Sequence, residues 1–169
     1  IEKNIENKLD EVSELVLTIA GKEEIKKLDG KKIQSTIENF IEFADIFFNI
    51  YVYNKDGYLI SAAYFDKRPY SKYLGENFNN YNNVFSKYAA EVLSDGTPVF
   101  SETFRSKSNR LIVTYIAPVT DRKDIKGLVS CAIYDQDIKF QRLLDRLKPP
   151  YNGFIYLMDQ KGNCLGCTG

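Results

Sequence analysis

The sequence predicts an α+β domain, a five-stranded antiparallel sheet with a long N-terminal helix on one face and a loop with short helices over the other. Three observations carry this. Residues 1 to 45 repeat apolar groups at steps of three and four, the period of a helix with one buried face. From Asn49 the period shortens to two, as in a strand. The connectors between the later strand candidates are short and polar, whereas a parallel crossover needs about a dozen residues, so neighbouring strands must run antiparallel.

In chain order, Ile1, Ile5, Leu9, Val12, Leu15, Val16 and Ile19 mark the apolar stripe of a first helix, which Gly21 can end. Ile25 and Leu28 continue the stripe weakly, and Asp29-Gly30 marks a break. Ile33, Ile37, Phe40, Ile41 and Ala44 resume it, so residues 1–48 read as one long, interrupted helical arm. Ile50-Tyr51-Val52-Tyr53 alternates aromatic and β-branched residues. Asn54-Lys55-Asp56-Gly57 is turn chemistry, and Tyr58 to Ala63 is the return strand. Residues 64 to 83 are polar, aromatic and Asn-rich. Val84, Tyr88 and Val92 give a short helix that Asp95-Gly96 terminates. Three strands follow, Val99 to Phe104, Leu111 to Val119 and Leu128 to Tyr134. Ile138 to Leu147 reads as a last helix, stopped by Pro149-Pro150. The first helix must cover one face of the sheet, and residues 64 to 95 the other, with a pocket beneath them.

The final segment echoes an earlier one. Ile50 to Ile60 aligns without gaps on Ile155 to Leu165, sharing Ile-Tyr and the turn glycine. One reading is a second module that opens near Tyr151; the other is that any strand-turn-strand looks alike. The expected domains are thus a helix over 1–48, a module over 49–150, and the start of a truncated second module over 151–169.

Composition excludes several functions. Among 169 residues, Lys plus Arg and Asp plus Glu are both 23, with none of the basic excess of a nucleic-acid binder. Histidine is absent, which removes Ser-His-Asp and Cys-His catalysis and His-ligated zinc or haem. No apolar run approaches the ~20 residues of a membrane span, and no signal peptide is read. The abrupt helical opening is expected of a piece of a longer protein. Cys131, Cys164 and Cys167 are an odd number. Cys164 and Cys167 form a CxxC that supplies at most two of zinc's usual four ligands. It reads as two ordinary thiols, with a redox or metal role as the alternative. Acid pairs such as Asp135 with Asp137, or Glu23 with Glu24, read as solvated faces, and no nucleophile-base motif is present. The domain is expected to be non-catalytic and to need no cofactor.

The order and spacing of these pieces resemble the CACHE family, the PAS-like extracytoplasmic sensor modules of bacterial and archaeal receptors. The long first helix, Ile50 to Gly57, Ser94 to Glu102, Arg110 to Val119 and Lys126 to Ile133 carry the resemblance. Gly153 to Gly162 looks like the opening strand of the second module in double-CACHE proteins. The resemblance implies the membrane-distal, ligand-binding module of a membrane-anchored receptor. Its output would be a histidine kinase, a chemoreceptor or a cyclic-nucleotide enzyme. It also implies a pocket near Tyr64, Arg68 and Tyr70, and places Ala132 where the family's last strand carries an Asp for a ligand's ammonium.

The residues fill in that pocket. Arg68 offers a planar fork that fits a carboxylate. Tyr70, Tyr73, Tyr81, Tyr115 and Tyr134 each bring an apolar ring and a hydroxyl. Glu102, with Arg105, could meet an ionic ligand. On the last strand, Leu128, Ser130, Ala132 and Tyr134 share one face, with Ser130 and Ala132 as a pocket floor. Val129, Cys131 and Ile133 share the other, which faces the long helix. The expected ligand is a small molecule, an organic acid, an amine or an amino-acid-like compound. A homodimer through the first helix is the expected protein partner. The alternative function is an interaction or dimerisation module without a small ligand.

Overall fold

The structure, a computed structural model, describes residues 2–44, 46–81, 83–106, 109–134, 153–154, 156–158, 162 and 164–167. The helical arm is three helices, α1 (Glu2–Ala20), α2 (Glu23–Lys26) and α3 (Gly30–Phe43). Gly21 closes α1, its N–H donating to the Leu17 carbonyl at 2.9 Å. Leu28 adopts a positive φ of 53°, which turns the chain before Asp29 and lets α3 start in a new direction. Much of the stripe read from the sequence is buried, with Val12, Val16, Ile19, Ile25, Ile33 and Ile37 wholly so, whereas Leu9 is exposed.

The main sheet has the order β2-β1-β6-β5-β3, and every pairing is antiparallel. Its strands are β1 (Asn49–Asn54), β2 (Leu59–Tyr64), β3 (Val99–Phe100), β4 (Phe104–Arg105), β5 (Leu111–Asp121) and β6 (Asp124–Tyr134). The helix α4 (Val84–Asp95) lies between β2 and β3 in sequence. The expected strand Val99 to Phe104 is instead two short ones, β3 and β4, both paired with β5. Ser101 separates them. Its N–H donates to the Thr114 carbonyl at 2.8 Å, while its hydroxyl accepts from the Thr114 N–H at 3.0 Å. A side chain thus takes a bond that a carbonyl would make in a regular ladder.

Side-chain alternation gives the sheet two apolar faces. Ile50 and Val52 of β1, Tyr115, Ala117 and Val119 of β5, and Val129, Cys131 and Ile133 of β6 pack with α1, α2 and α3. Tyr53, Ile112, Ile116, Leu128 and Ala132 face the other way, toward Phe78 and toward Phe85, Ala89 and Val92 of α4. Each fully buried Ile or Val contributes about 1.5–3 kcal/mol. Those groups, rather than the exposed ion pairs along the helices, hold the arm to the sheet. Polar bonds fix where α3 sits: Gln34 donates to the Ala62 carbonyl of β2 at 3.1 Å and accepts from the Ser61 hydroxyl at 2.5 Å.

A separate two-stranded sheet pairs β7 (Tyr156–Met158) with β8 (Cys164–Cys167). Its register reproduces that of β1 and β2. Tyr51↔Ala62, Val52↔Ser61 and Tyr53↔Leu59 recur 105 positions later as Tyr156↔Cys167, Leu157↔Gly166 and Met158↔Cys164, with the irregularity at the same step. The turn glycines Gly57 and Gly162 share the left-handed region, at φ 86° and 82°. The expected helix Ile138 to Leu147 and Pro149-Pro150 lie outside the described residues.

Gly127 marks a close approach of β6 to β1. A Cβ there would stand 2.0 Å from the Tyr53 carbonyl oxygen of β1. Gly127→Ala is expected to cost about 1–3 kcal/mol, seen as a lower urea midpoint. Gly30→Ala, at an exposed helical position with nothing within 4 Å of the new methyl, is expected to be neutral or stabilising by up to about 1 kcal/mol.

Candidate functional site

Residues 65–81 cross the cavity-side face of the sheet and are tied down at both ends by backbone bonds. At one end the Phe65 N–H donates to the Phe48 carbonyl at 2.9 Å. At the other, Leu59 N–H donates to Glu76, Gly75 N–H to Leu59 and Phe78 N–H to Gly57, at 2.9 to 3.0 Å. Asn77 reinforces the second tie. Its amide donates to the Asp56 carbonyl at 2.8 Å and its carbonyl oxygen accepts from the Asn79 N–H at 2.9 Å. Gly57 permits this approach, since a Cβ there would lie 2.9 Å from the Asn77 oxygen. Asn83 then caps α4 by accepting from the Ser86 N–H.

Beneath this strap lies a cavity of about 130 Å³. Its floor is the sheet, where Asn49, Thr114, Ser130 and Ala132 contribute small or neutral polar groups. The Asn49 carbonyl oxygen accepts from the Ala132 N–H at 3.3 Å. The walls are aromatic. Phe48, Tyr51, Tyr53 and Tyr64 come from β1 and β2 and their approach, Tyr73, Tyr81 and Phe85 from the strap and α4, and Phe104 from β4. Tyr53, Phe78 and Phe85 meet at centroid distances of 5.6 to 5.9 Å, a cluster that props the α4 end of the strap. The Tyr51 and Tyr64 hydroxyls share a hydrogen bond of 2.6 Å.

Arg68 is the cation of the lining. Its guanidinium carbon lies 5.0 Å from the Phe48 ring centre and 5.3 Å from that of Tyr64, within cation–π range. Its Nε and Nη2 donate to both oxygens of Asp66. That bond holds the Asp66 carboxyl below its usual range. Burial, and secondarily the neighbouring Tyr81 and Tyr51, pushes the Tyr53 hydroxyl well up. Burial and a 2.9 Å bond to Glu76 push Tyr81 up as well. Both remain neutral phenols at ordinary pH. Among the described residues, the lining holds no carboxylate, amine or thiol.

No family model matches the chain, and no curated protein does. Solved structures match its fold. The sensory domain of the Campylobacter jejuni chemoreceptor Tlp3 with isoleucine bound superposes with a TM-score of 0.72 at 11% identity, over 98% of this chain and 65% of that one. The ligand-binding domain of the Pseudomonas fluorescens chemoreceptor CtaA with L-isoleucine gives 0.68 at 16% identity, over 97% and 62%. The sensor domain of the V. cholerae histidine kinase DctB gives 0.66 at 14%, over 94% and 59%. The chain thus shares its fold with these chemoreceptor and histidine-kinase domains. The chain spans about two thirds or less of the length of these neighbours.

Of the residues expected at the site, Arg68, Tyr73, Tyr81, Ser130 and Ala132 converge on the cavity. Tyr70 is half-buried against the same apolar cluster without lining the space. Glu102 does not line it either; it sits in the break between β3 and β4, flanked by buried Ser101 and Thr103. Tyr115 is corrected outright. Strand parity turns Thr114 to the cavity and Tyr115 to the helix side, where its ring lies 4.5 Å from Phe100. Tyr134 pairs with Ile112 through its backbone, and its side chain lies outside the described residues. Sequence reasoning missed Asn49, Tyr51, Tyr53, Phe104 and Thr114. The signal for Tyr51 and Tyr53 was present, because they alternate with Ile50 and Val52. Thr114 needed the β5–β6 register, which sets it opposite Ala132. The CxxC cysteines fall on β8, where Cys164 is exposed.

Asn77→Ala removes two bonds from the strap's tie and is expected to cost roughly 1–2 kcal/mol. Faster amide exchange across residues 75–79 would register it. Asp66, with its lowered folded value, contributes above the ordinary aspartate range and loses that contribution as pH falls through the lowered value. Exchange protection around residues 65–68 is therefore expected to hold from neutrality to about pH 4 and to weaken below it.

Proposed function

We propose that this chain is the non-catalytic, extracytoplasmic sensing domain of a membrane receptor, and that its cavity binds a small molecule. The observation that carries the reading is a half-open cavity of about 130 Å³ beneath a strap tied at both ends, with aromatic walls and a neutral polar floor. An engineered cavity of about 150 Å³ accepts benzene, so the space suits a ligand of a few carbon atoms. The absence of histidine from the sequence and the makeup of the lining support a binding role over catalysis. The sensory domains that share the fold come from chemoreceptors and a histidine kinase, and several hold amino acids. These support signal transduction as the setting, with a histidine kinase or chemoreceptor as output, while a cyclic-nucleotide enzyme rests on the sequence resemblance alone.

In this reading residues 1–48 form the signalling helix, residues 49–150 the binding module, and residues 151–169 the opening of a second module. The pair-by-pair register of β7–β8 on β1–β2 supports the last part. Among the described residues no helix is long and apolar enough to cross a membrane, so the proposed anchor would lie elsewhere in the protein. Val129, Cys131 and Ile133 pack on the arm, while Ser130 and Ala132 between them line the cavity. A ligand that binds two states of the strap unequally could thus bias the helix through one strand.

A second reading, a dimerisation module, draws on Leu9, Leu17 and Phe43, which are 38%, 44% and 85% exposed on α1 and α3. A solution mass that stays monomeric at high concentration would remove it.

Thermal shift and calorimetry over organic acids, amines, amino acids and purines test the sensing reading. At a hundredfold excess over Kd a ligand should stabilise by about 2.7 kcal/mol, which raises Tm by roughly 5–10 °C at this chain length. Ala132→Leu, which fills the floor, should weaken binding at least tenfold. A panel without any shift would defeat the proposal.

A further inference from the structure

We infer that the cavity recognises its ligand at the sheet floor, through Thr114, Ser130 and Asn49, and that the group seated there is an uncharged amide head on a short apolar body. This rests on the sensing reading above and narrows it to a ligand class.

Three buried polar side chains carry the argument. Thr114, Ser130 and Asn49 are 3%, 1% and 8% exposed, and all three line the cavity. Among the described residues, the Thr114 and Ser130 hydroxyls bond to no protein group; Thr114 meets Ser101 through its backbone alone. The Asn49 side-chain oxygen accepts from the Ala132 N–H, and among the described residues the amide N–H groups of Asn49 stay unused. Buried polar groups are ordinarily paired, and an unpaired one is costly. Three of them grouped on one cavity surface form a hydrogen-bonding site that the fold itself does not consume.

Strand register sets their spacing. Thr114, Ala132 and Asn49 form one row across β5, β6 and β1, and Ser130 lies two residues along β6, between Ile116 and Tyr51. Thr114 and Asn49 thus stand two strand spacings apart, about 10 Å, with the small Ala132 between them. An amide head with a hydrogen bond at each end covers a comparable span. Its carbonyl accepts from the Asn49 N–H groups, which can only donate, and its own N–H groups donate to the Thr114 and Ser130 hydroxyls. An amine has no acceptor for Asn49. A carboxylate brings a full charge over three neutral groups, and the Arg68 charge is already met by Asp66. The apolar body then lies against Phe85, Phe104 and Ile112, and the volume holds it to a few carbons.

Four compounds that share one skeleton separate the possibilities: isobutyramide, methyl isobutyrate, isobutyrate and isobutylamine. Calorimetry on the whole chain should show isobutyramide binding at least tenfold more tightly than the other three. Thr114→Val and Ser130→Ala each remove a hydroxyl with little change of shape, and each should weaken isobutyramide binding roughly fivefold. In the ligand-free protein the same two variants should melt no lower than the wild type, because no bond within the protein is lost. A clear drop in that Tm for both variants would give the hydroxyls a structural role and overturn the inference without any ligand. Tight isobutyramide binding that neither variant weakens places the head elsewhere and overturns it too. Ester, carboxylate or amine binding as tightly as the amide overturns the ligand class and leaves the sensing reading standing. No binding by these four, with a hit elsewhere in the panel above, does the same. No binding by any compound overturns both.

Discussion

Side-chain alternation along β1, β6 and β5 governs the whole molecule, because a sheet that is apolar on both faces must be covered on both. Ile50, Val52, Cys131 and Ala117 point to one side and demand the helices of the arm. Tyr53, Leu128, Ala132 and Ile116 point to the other and demand the strap and α4. A shift of one residue in any of these strands would exchange the two sets and place Tyr51 and Tyr53 under α1. Gly127 guards against such a shift locally, since β6 passes β1 there at a distance no side chain tolerates.

The cavity follows from the sizes of the groups on the second face. Where β1, the strap and α4 present Tyr53, Phe78 and Phe85, the layers meet ring to ring, and these rings bound the cavity on that side. Where the floor is Thr114, Ser130 and Ala132, the side chains are too short to reach a roof held at the height those rings impose. The hollow is therefore a mismatch between large props and small floor residues. Backbone bonds at Phe65, Gly75 and Phe78 keep the strap from collapsing into it.

The charges are arranged with similar economy. Arg68 lies over Phe48 and Tyr64 and is steadied by Asp66, so its head group is positioned by two rings and one carboxylate. The remaining polar surface of the cavity is hydroxyl and amide. Such groups both donate and accept hydrogen bonds, and the ring faces add an apolar wall.

The sequence alone determined the fold class, the buried stripe of the helices and the facing of β6, because each is written in a local period that backbone geometry enforces. It also determined the hairpin echo, whose register recurs 105 positions later down to the irregular step. Tertiary structure alone decided the membership of the cavity. Tyr115 and Thr114 are adjacent in sequence, and only the pairing of β5 with β6 says which one faces inward. Glu102 likewise lay inside an apparently continuous strand until the Ser101 hydroxyl took a ladder bond and broke it. Periodicity is a property of neighbours in sequence. A cavity is made by residues brought from distant strands, and its lining depends on registers and on which large groups hold the roof away.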